Sequence, residues 1–353
     1  MEITKIELKN FRNHKYLLID NIGSILIIAG SNAAGKTNTI EALQLLSMHE
    51  TFKRAKIEEM LCTLRAAEEP SLISIDIYDH NTLNTKQIVL QDNTRTYFYN
   101  KKERPAKELI DLIPAVLFTP DDLQIIKGPP EQRRDMLDSL GKRLSKSFAH
   151  IRDEYHRALR HKNSLLKQEY IDLDLLESWN TNLAKLGSSL NKHRRGLSEQ
   201  LLEVATAAYS KISGGEELRG TYLSNFEDLA LELSQNREAE VQAGRSLIGP
   251  HKDDLSFTIN GSDTRRFASQ GQQRSVALAL KIAEIEILRR VCGRNPLLLL
   301  DDVMSELDTA RRTHFIDLIE SSTQAVLTTT NLGYFDEEFL ERATIAQLQD
   351  KVR

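Results

Sequence analysis

The order of apolar and polar positions divides the chain into a strand-rich beginning, a helix-rich middle and an α/β end. Residues 3–20 alternate in polarity around a polar break at residues 10–13, which predicts a β-hairpin. Other short apolar or alternating runs predict strands at residues 72–78, 86–90, 94–99 and 114–118. The amino-terminal part is therefore expected to consist largely of strands.

The middle of the chain has helical spacing instead. No proline occurs from residue 131 to residue 245, and apolar residues step by three or four positions from Leu137 to Ala158. A later set fits a heptad seam in which His193 and Gln200 take the two polar positions. Its apolar members are Trp179, Leu183, Leu186, Leu190, Leu197 and Val204. With a turn at residues 168–174, the pattern predicts two long helices that form a short antiparallel hairpin.

Strand and helix patterns alternate again after Leu247. A polar turn at residues 249–254 precedes a predicted strand, and a long helix follows Ser275. The remaining runs predict strands at 255–259, 296–301, 325–327 and 343–348 and a helix at 310–319. We therefore expect a discontinuous α/β lobe, residues 1–127 and 246–353, and a helical lobe at residues 128–245 inserted into it.

Composition and charge are those of an ordinary globular protein. The 353 residues are 28% charged and 40% hydrophobic, with a formal net charge of −4, so any nucleic-acid surface must be local. Residues 129–169 contain ten Lys or Arg against six Asp or Glu, which fits either a solvated helix face or such a surface. The charges concerned are Arg133, Arg134, Lys142, Arg143, Lys146, Arg157, Arg160 and Lys162.

Neither the cysteines nor the apolar runs indicate a metal site, a disulfide or a membrane anchor. Cys62 and Cys292 belong to no CxxC or Cys/His cluster, and we expect both to be reduced core thiols. The amino terminus lacks the apolar core of a signal peptide, and no apolar run approaches ~18 residues, the length of a membrane span. We therefore expect a cytoplasmic protein.

The clearest chemical signal is the Walker A pattern G-x-x-x-x-G-K-T from Gly30 to Thr37, between an apolar strand and a helix. Glycines let the loop backbone approach a phosphate, and the following helix points its free N–H groups at the same anion. Lys36 is expected to reach the β- and γ-phosphates of ATP, and Thr37 is expected to bind Mg²⁺. The predicted nucleotide-binding loop comprises Gly30, Ser31, Asn32, Ala33, Ala34, Gly35, Lys36, Thr37 and Asn38.

Two carboxylates follow the buried run at residues 297–300, as in a Walker B pattern. Strand ends of open α/β sheets form the ligand crevice, so Asp301 is expected to hold Mg²⁺ and Asp302 to orient or deprotonate the attacking water. Because aspartate is one methylene shorter than glutamate, we expect slow turnover. A helix cap or turn is the alternative interpretation of an Asp-Asp pair.

Ser269-Gln270-Gly271-Gln272 stands just before a predicted helix and about 30 residues ahead of Asp301. This order matches the Ser-x-Gly-Gln signature of transporter-type ATPases, so Ser269, Gly271 and Gln272 are expected to meet the γ-phosphate of a nucleotide bound to a second protomer. Residues 305–308 occupy the D-loop position of the same interface. Ordinary helix capping is the alternative.

Several motifs together resemble the RecF family, in the SMC/Rad50-like branch of ABC ATPases. Besides the Walker and signature motifs, the matching stretches are Leu8 to Asn13, Phe118 to Leu123, Lys127 to Arg134, Gly249 to Leu255, Phe267 to Ser275 and Leu299 to Asp308. They span nearly the whole chain in family order. The resemblance implies an α/β fold: an ABC-type P-loop head with a mixed sheet, and a helical second lobe.

The resemblance also implies activity and partners. Family members form ATP-dependent homodimers, bind double-stranded DNA and single-strand/duplex junctions, hydrolyse ATP slowly with Mg²⁺, and load recombinase together with RecR and RecO. It implies nucleotide roles for Lys36, Thr37, Asp301, Asp302 and Ser269. The chain departs from the family at Thr51-Phe52-Lys53, where relatives have Ser-Phe-Arg. Residues 328–330 are threonines in place of the switch histidine, and Asp121 or Asp122 falls near the Q-loop glutamine.

The leading hypothesis is an ATP-gated clamp on duplex DNA, and two other function classes are alternatives. A transporter's ATP-binding subunit is disfavoured by the long helical insertion and by the Gln-Gly-Gln-Gln run in the signature. An SMC-like structural scaffold is disfavoured by the shortness of the predicted hairpin.

Overall fold

The structure, a computed structural model, describes residues 1–51, 55–66, 68–109, 112–320 and 324–349. The chain divides into two compact units, one comprising Met1–Asp122 and Leu288–Arg353, the other Leu123–Ile287. The strands are β1 (Glu2–Phe11), β2 (His14–Ile19), β3 (Ile25–Gly30), β4 (Ser71–Asp79), β5 (Thr82–Gln91), β6 (Thr94–Tyr99), β7 (Lys102–Glu103), β8 (Ala115–Phe118), β9 (Leu218–Leu223), β10 (Asp254–Ile259), β11 (Ser262–Asp263), β12 (Leu297–Asp301), β13 (Ala325–Thr329) and β14 (Thr344–Leu348).

The helices are α1 (Lys36–Met48), α2 (Ile57–Met60), α3 (Ala106–Leu109), α4 (Pro130–Leu144), α5 (Lys146–Leu165), α6 (Leu173–Ser213), α7 (Leu229–Gln235), α8 (Arg237–Ala243), α9 (Thr264–Phe267), α10 (Gln270–Cys292), α11 (Thr309–Glu320) and α12 (Glu337–Arg342). Short 3₁₀ helices lie at Pro120–Gln124, Pro250–Lys252, Val303–Glu306 and Leu332–Tyr334. No described helix is long and apolar enough to cross a membrane.

Five strands of the first unit form a parallel sheet in the order β14-β3-β13-β12-β8. Every residue of β3, β12 and β13 is buried, as expected for central strands covered on both faces. Because these strands are parallel, Gly30 at the end of β3 and Asp301 at the end of β12 come to the same edge of the sheet. This edge carries the predicted nucleotide chemistry.

The other strands of the first unit form an antiparallel sheet in the order β2-β1-β4-β5-β6-β7. Helix α1 shares one apolar core with both sheets, so its side chains are buried almost all round. This core includes Ile40, Leu43 and Leu46 of α1, Ile6 and Ile75 of the antiparallel sheet, and Leu26 and Leu299 of the parallel sheet. The predicted amino-terminal hairpin and the α/β fold class are confirmed, and the strands of the head are divided between two sheets.

The second unit contains α4 to α9 and a three-stranded antiparallel sheet in the order β11-β10-β9. Helices α5 and α6 form the predicted antiparallel hairpin. Leu165 and Leu176 pack together next to the turn, whereas Tyr155 lies against Gly187 farther along both helices. The His161 ring stacks on Trp179 between these two points, with centroids 5.0 Å apart.

The prediction of a single long first helix is wrong. The chain leaves the helical conformation at Ser145, whose φ is −149°, and this residue divides α4 from α5. The Ser145 hydroxyl accepts a hydrogen bond from the Phe148 N–H at 3.2 Å, so it caps α5. A serine that accepts a hydrogen bond from the next helix favours a break between two helices. The spacing of apolar residues alone does not reveal such a break.

The predicted heptad seam is only partly correct. Leu183 and Leu190 are buried, but the polar seam positions His193 and Gln200 are exposed. Leu197 of the predicted seam is buried as well, but Arg194 and Leu201 are buried in place of His193 and Gln200. An α-helix drifts by about 20° per heptad against a strict seven-residue repeat, so a straight helix loses a heptad register within a few turns.

The boundary of the second unit also differs from the predicted lobe. The segment 218–223, predicted within the helical lobe, is the strand β9, and it pairs with β10 over six residue pairs. This pairing groups residues 246–287 with the second unit, although the sequence placed them in the α/β lobe. Strand β9 follows a 41-residue helix and has only six residues, so its pattern is easily missed.

The two cysteines differ in their environments. Cys62 is buried, as predicted, whereas Cys292 is exposed at the end of α10, so the prediction of two core thiols is wrong for Cys292. Neither cysteine forms a disulfide in the part of the chain that the structure describes.

A buried ion pair joins α4 and α6. The Arg194 guanidinium donates to both carboxylate oxygens of Asp138 at 2.8 Å, and its third nitrogen donates to the Pro250 carbonyl at 2.7 Å. Burial alone would raise the pKa of Asp138, but the charge and hydrogen bonds of Arg194 and the charge of Arg152 hold it below its ordinary value. Asp138 therefore contributes stability that is lost as the pH falls below about 4, the ordinary pKa of an aspartate.

We expect Asp138→Asn to destabilise the second unit by about 3–5 kcal/mol, because it leaves the Arg194 charge buried and uncompensated. The sole tryptophan, Trp179, lies in α6 and reports this unit by fluorescence during denaturation at neutral pH. The double variant Asp138→Leu/Arg194→Met, which removes both charges, should recover much of the loss. If Asp138→Asn unfolds at the same denaturant midpoint as the wild type, the ion pair does not have this role in stability.

Candidate nucleotide site

The loop between β3 and α1 has the curled backbone of a phosphate-binding loop. Gly35 has a φ of 105°, which favours glycine, and Ala33 also has a positive φ, of 70°. At Gly30 a side chain is excluded by proximity, because a Cβ atom would lie 2.8 Å from the Leu348 carbonyl oxygen of β14. Ser31 and Asn32 are exposed at the outer side of the loop, and Ala34 is buried.

Lys36 is positioned by the loop that precedes it. Its ammonium group donates hydrogen bonds to the carbonyls of Gly30 at 2.8 Å and Ser31 at 2.7 Å. The residue before α1 is Gly35, which has no side chain to cap the helix, and the first N–H groups of a helix lack intrahelical partners and can bind an anion. The cation and the helix terminus together make the loop suited to binding phosphate.

Thr37 and Asp301 meet although they are 264 residues apart in sequence. The Thr37 hydroxyl donates to Oδ1 of Asp301 at 2.9 Å, and the Thr328 hydroxyl donates to the same oxygen at 2.8 Å. Thr328 in turn accepts the N–H of Asp302 at 2.9 Å. Thr328 thus contacts the Asp301 carboxylate and the Asp302 backbone from the neighbouring strand.

Hydroxyl and carboxylate oxygens are the donors that Mg²⁺ prefers, and the pair formed by Thr37 and Asp301 fits such an ion. The described residues contain no cluster of three or more His, Cys, Asp or Glu side chains able to hold a metal alone. Mg²⁺ typically takes only one or two protein ligands and completes its shell with phosphates and water, so a two-residue site suits a nucleotide-bound Mg²⁺.

Asp302 lies just past the end of β12 with a left-handed φ of 51°. Its Oδ1 atom is buried and has no hydrogen-bond partner among the described residues. Burial raises the pKa of Asp302; the Lys36 ammonium opposes the rise, and the Asp301 carboxylate adds to it. An unpartnered acceptor on a carboxylate of raised pKa is a suitable group for orienting or deprotonating a water molecule.

The signature residues form a reciprocal cap at the start of α10. The Ser269 hydroxyl accepts the Gln272 N–H at 3.1 Å, and the Gln272 side-chain oxygen accepts the Ser269 N–H at 2.9 Å. The amide nitrogen of Gln272 donates to Glu216 at 2.8 Å, and Gly271 lies within the first turn. Capping is therefore present, and it leaves Ser269 exposed at a helix amino terminus.

The Walker motifs belong to the first unit and the signature to the second. In the D-loop segment of the first unit, the Ser305 hydroxyl donates to the Asp302 carbonyl at 2.7 Å, and Asp308 caps α11 by accepting the Arg311 N–H at 3.0 Å. The D-loop is thus bonded directly to the end of the Walker B strand.

The turn between β1 and β2 was predicted, but its contacts with the phosphate loop were not. The Asn13 amide donates to the Ala33 carbonyl and accepts from Asn38, at 3.1 and 2.9 Å. The His14 Nε2 atom lies 3.1 Å from the Gly35 carbonyl oxygen, and a Cβ atom at Gly35 would approach the His14 ring to 2.5 Å. The stretch from Leu8 to Asn13, which carries part of the family resemblance and the predicted turn, is the sequence signal nearest to these contacts.

An ion pair anchors the same turn to α1. Arg12 donates to both carboxylate oxygens of the fully buried Glu41, at 2.5 and 3.0 Å. A bidentate pair of this kind fixes direction as well as distance.

Two further expectations from the sequence are the Q-loop position at Asp121 or Asp122 and the departure at Thr51-Phe52-Lys53. Asp122 accepts hydrogen bonds from the N–H and hydroxyl of Thr119, at 2.8 and 3.0 Å, so its carboxylate stabilises a local turn. The departure at Thr51-Phe52-Lys53 lies mostly outside the described residues, since these include only Thr51 of the three.

Comparisons with known proteins cover almost the whole chain. The family described as RecF/RecN/SMC N terminal domain matches residues 2–351. The DNA replication and repair protein RecF of Moorella thermoacetica is 35% identical over 359 residues, which cover 99% of this chain and 95% of that protein. RecF of Cyanothece sp. is 33% identical over 367 residues, with 99% and 96% covered.

A solved structure agrees with the sequence matches. The recombination mediator protein RecF of the RecFOR pathway, determined with ATP, superposes with a TM-score of 0.83 and is 31% identical. The match covers 95% of this chain and 93% of that one. The chain therefore belongs to the RecF family of DNA replication and repair proteins, which are ATP-binding members of the SMC-like ABC ATPases.

Proposed function

We propose that the protein is a cytoplasmic, ATP-dependent DNA-binding ATPase of recombinational repair and replication restart. ATP joins two protomers into a clamp on duplex DNA near single-strand gaps, and the clamp helps to load a recombinase. Slow ATP hydrolysis, stimulated by DNA, releases it. The observation that carries this proposal is the contact of Thr37 with Asp301 beside Lys36, which assembles a nucleotide half-site.

Each residue of the half-site has a chemical role. The loop from Gly30 to Asn38 and the start of α1 bind the phosphates through backbone N–H groups, and Lys36 places its charge on the β- and γ-phosphates. Thr37 and Asp301 hold Mg²⁺, which neutralises charge on the phosphate oxygens. Asp302 holds the attacking water and takes its proton.

The second half of the pocket is assigned to the signature of another protomer. Ser269 is exposed, and the N–H groups that begin α10 are suited to a γ-phosphate. The reciprocal cap holds Ser269, Gly271 and Gln272 in one rigid turn before any nucleotide arrives. A nucleotide shared in this way makes dimer formation depend on ATP.

The proposed macromolecular partners are duplex DNA, single-strand/duplex junctions, RecR and RecO. Support for RecR and RecO comes from the full-length match to a recombination mediator of the RecFOR pathway. Support for DNA comes from the match to DNA replication and repair proteins. Binding is expected to be independent of sequence and to weaken steeply with salt, because phosphate contacts dominate such interactions.

Ser269→Arg should retain ATP binding but block ATP-driven dimerisation, because a long cation replaces a small hydroxyl at the shared interface. Lys36→Arg should lose both, since a guanidinium cannot replace the compact ammonium within the loop. Sedimentation with ATP, with ADP and without nucleotide measures the dimer, and a fluorescent ATP analogue measures binding.

The matched control is Ser188→Arg, the same change at an exposed serine of α6, which should dimerise like the wild type. If Ser269→Arg also dimerises normally with ATP, the shared-pocket proposal is wrong.

Asp302→Asn should lower kcat for ATP hydrolysis by about 10²–10⁴-fold, the usual contribution of a positioned general base. ATP binding and dimerisation should remain, because Thr37 and Asp301 are intact. Asp301→Asn should instead weaken Mg²⁺-dependent ATP binding itself. The two variants are compared by single-turnover hydrolysis and by equilibrium binding, and wild-type hydrolysis by Asp302→Asn would exclude Asp302 as the base.

A further inference from the structure

Exposed basic side chains are concentrated around the turn between β6 and β7. Lys101, Lys102, Arg104 and Lys107 fall within seven positions, and all four are exposed. The only acidic residues from position 98 to position 109 are Glu103 and Glu108. In a chain of net charge −4, this group, here called the basic turn, is a local excess of positive charge.

The backbone of the basic turn is held in one conformation. Asn100 and Lys101 have φ values of 50° and 64°, the left-handed pair found in type I′ hairpin turns. The Asn100 side chain accepts the Thr85 N–H at 2.8 Å and donates to Asn84 at 2.9 Å, so it fastens the turn to β5. The lysines therefore project from a fixed backbone, which lowers the entropy cost of binding.

Most of the charged groups of the basic turn have no partner among the described residues. Arg104 lies 4.0 Å from Glu108 in a half-exposed pair. Lys101, Lys102 and Lys107 form no side-chain hydrogen bond or ion pair with the part of the chain that the structure describes. Their charge is therefore available to an external anion.

The basic helical stretch singled out in the sequence is different. Arg133 and Lys162 are fully buried, and they pair with Asp254 at 2.7 Å and with Glu240 at 2.5 Å. The same stretch contains further intramolecular pairs: Arg143 with Glu284, Arg152 with Asp138, and Arg157 with Glu154. Much of its positive charge is thus neutralised inside the second unit, so the excess counted along the sequence overstates the surface charge of this stretch.

We propose that the basic turn binds the phosphates of duplex DNA. This inference rests on the proposed function and assigns its DNA contact to particular residues. Lysine ammonium groups are compact point charges suited to phosphate oxygens, whereas bidentate reading of a base edge favours arginine or amide side chains. The basic turn therefore contributes affinity and salt dependence, and no sequence preference.

The test compares the wild type with Lys101→Gln/Lys102→Gln by fluorescence anisotropy on a duplex oligonucleotide, with ATP, over a series of salt concentrations. Each phosphate contact contributes about 0.9 to the slope of log Kobs against log salt concentration. The double variant should flatten this slope by about 1.8 for each protomer whose basic turn contacts the duplex, whereas Lys101→Arg/Lys102→Arg should retain it. Sedimentation with ATP should show unchanged dimerisation, which separates lost DNA contact from a lost dimer.

The matched control is Lys185→Gln/Lys192→Gln, which removes the same charge from exposed positions of α6 and should keep the wild-type slope. Equal flattening in both pairs would overturn the inference, because the effect would then follow net charge. An unchanged slope in Lys101→Gln/Lys102→Gln, with wild-type binding intact, would overturn this inference alone. A wild type that does not bind duplex DNA with ATP would overturn the proposed function and the inference together.

Discussion

The hydrogen bond between Thr37 and Asp301 is the contact on which the nucleotide site depends. It joins the first residues of α1 to the end of β12, and it exists only when strands from both ends of the chain share one parallel sheet. Thr328 from the strand next to β12 donates to the same carboxylate oxygen, so two strand ends and the start of α1 meet at this carboxylate. The energy of such a bond is modest, about 1.5–3 kcal/mol to a charged group, but its geometry requires the complete core around α1.

The second unit uses charge in another way. Arg194, Arg133 and Lys162 are buried cations, and each is paired with a carboxylate from a segment distant in sequence. Removing one partner of such a pair is costly, so these contacts specify which segments pack together more than they add net stability. The Gly249 to Asp254 motif lies among them: the Pro250 carbonyl accepts from Arg194, and Asp254 accepts from Arg133. Its role in the second unit is thus mainly one of packing.

Sequence patterns predicted the strands, the phosphate loop and the helical hairpin because each depends on local spacing and polarity. They failed where tertiary contacts decide. Ser145 ends one helix by capping the next. The segment 218–223 is a strand because it pairs with β10. Arg194 can be buried because its charge is paired with Asp138. The role of Thr328 was also beyond the sequence, since it depends on two neighbouring strands ending at the same level.

Two features of the phosphate loop exclude a side chain at Gly35. Its left-handed φ disfavours any side chain, and the His14 ring occupies the space where a Cβ atom would lie. The loop therefore cannot move independently of the turn between β1 and β2, and Arg12 ties that turn to α1 through Glu41. The amino-terminal hairpin contains no Walker residue, yet it holds the phosphate loop through contacts with Ala33 and Gly35. Strand β14 restricts the same loop at Gly30. Preorganisation of this kind places the backbone N–H groups before a phosphate binds, so less of the binding energy is spent on ordering the loop.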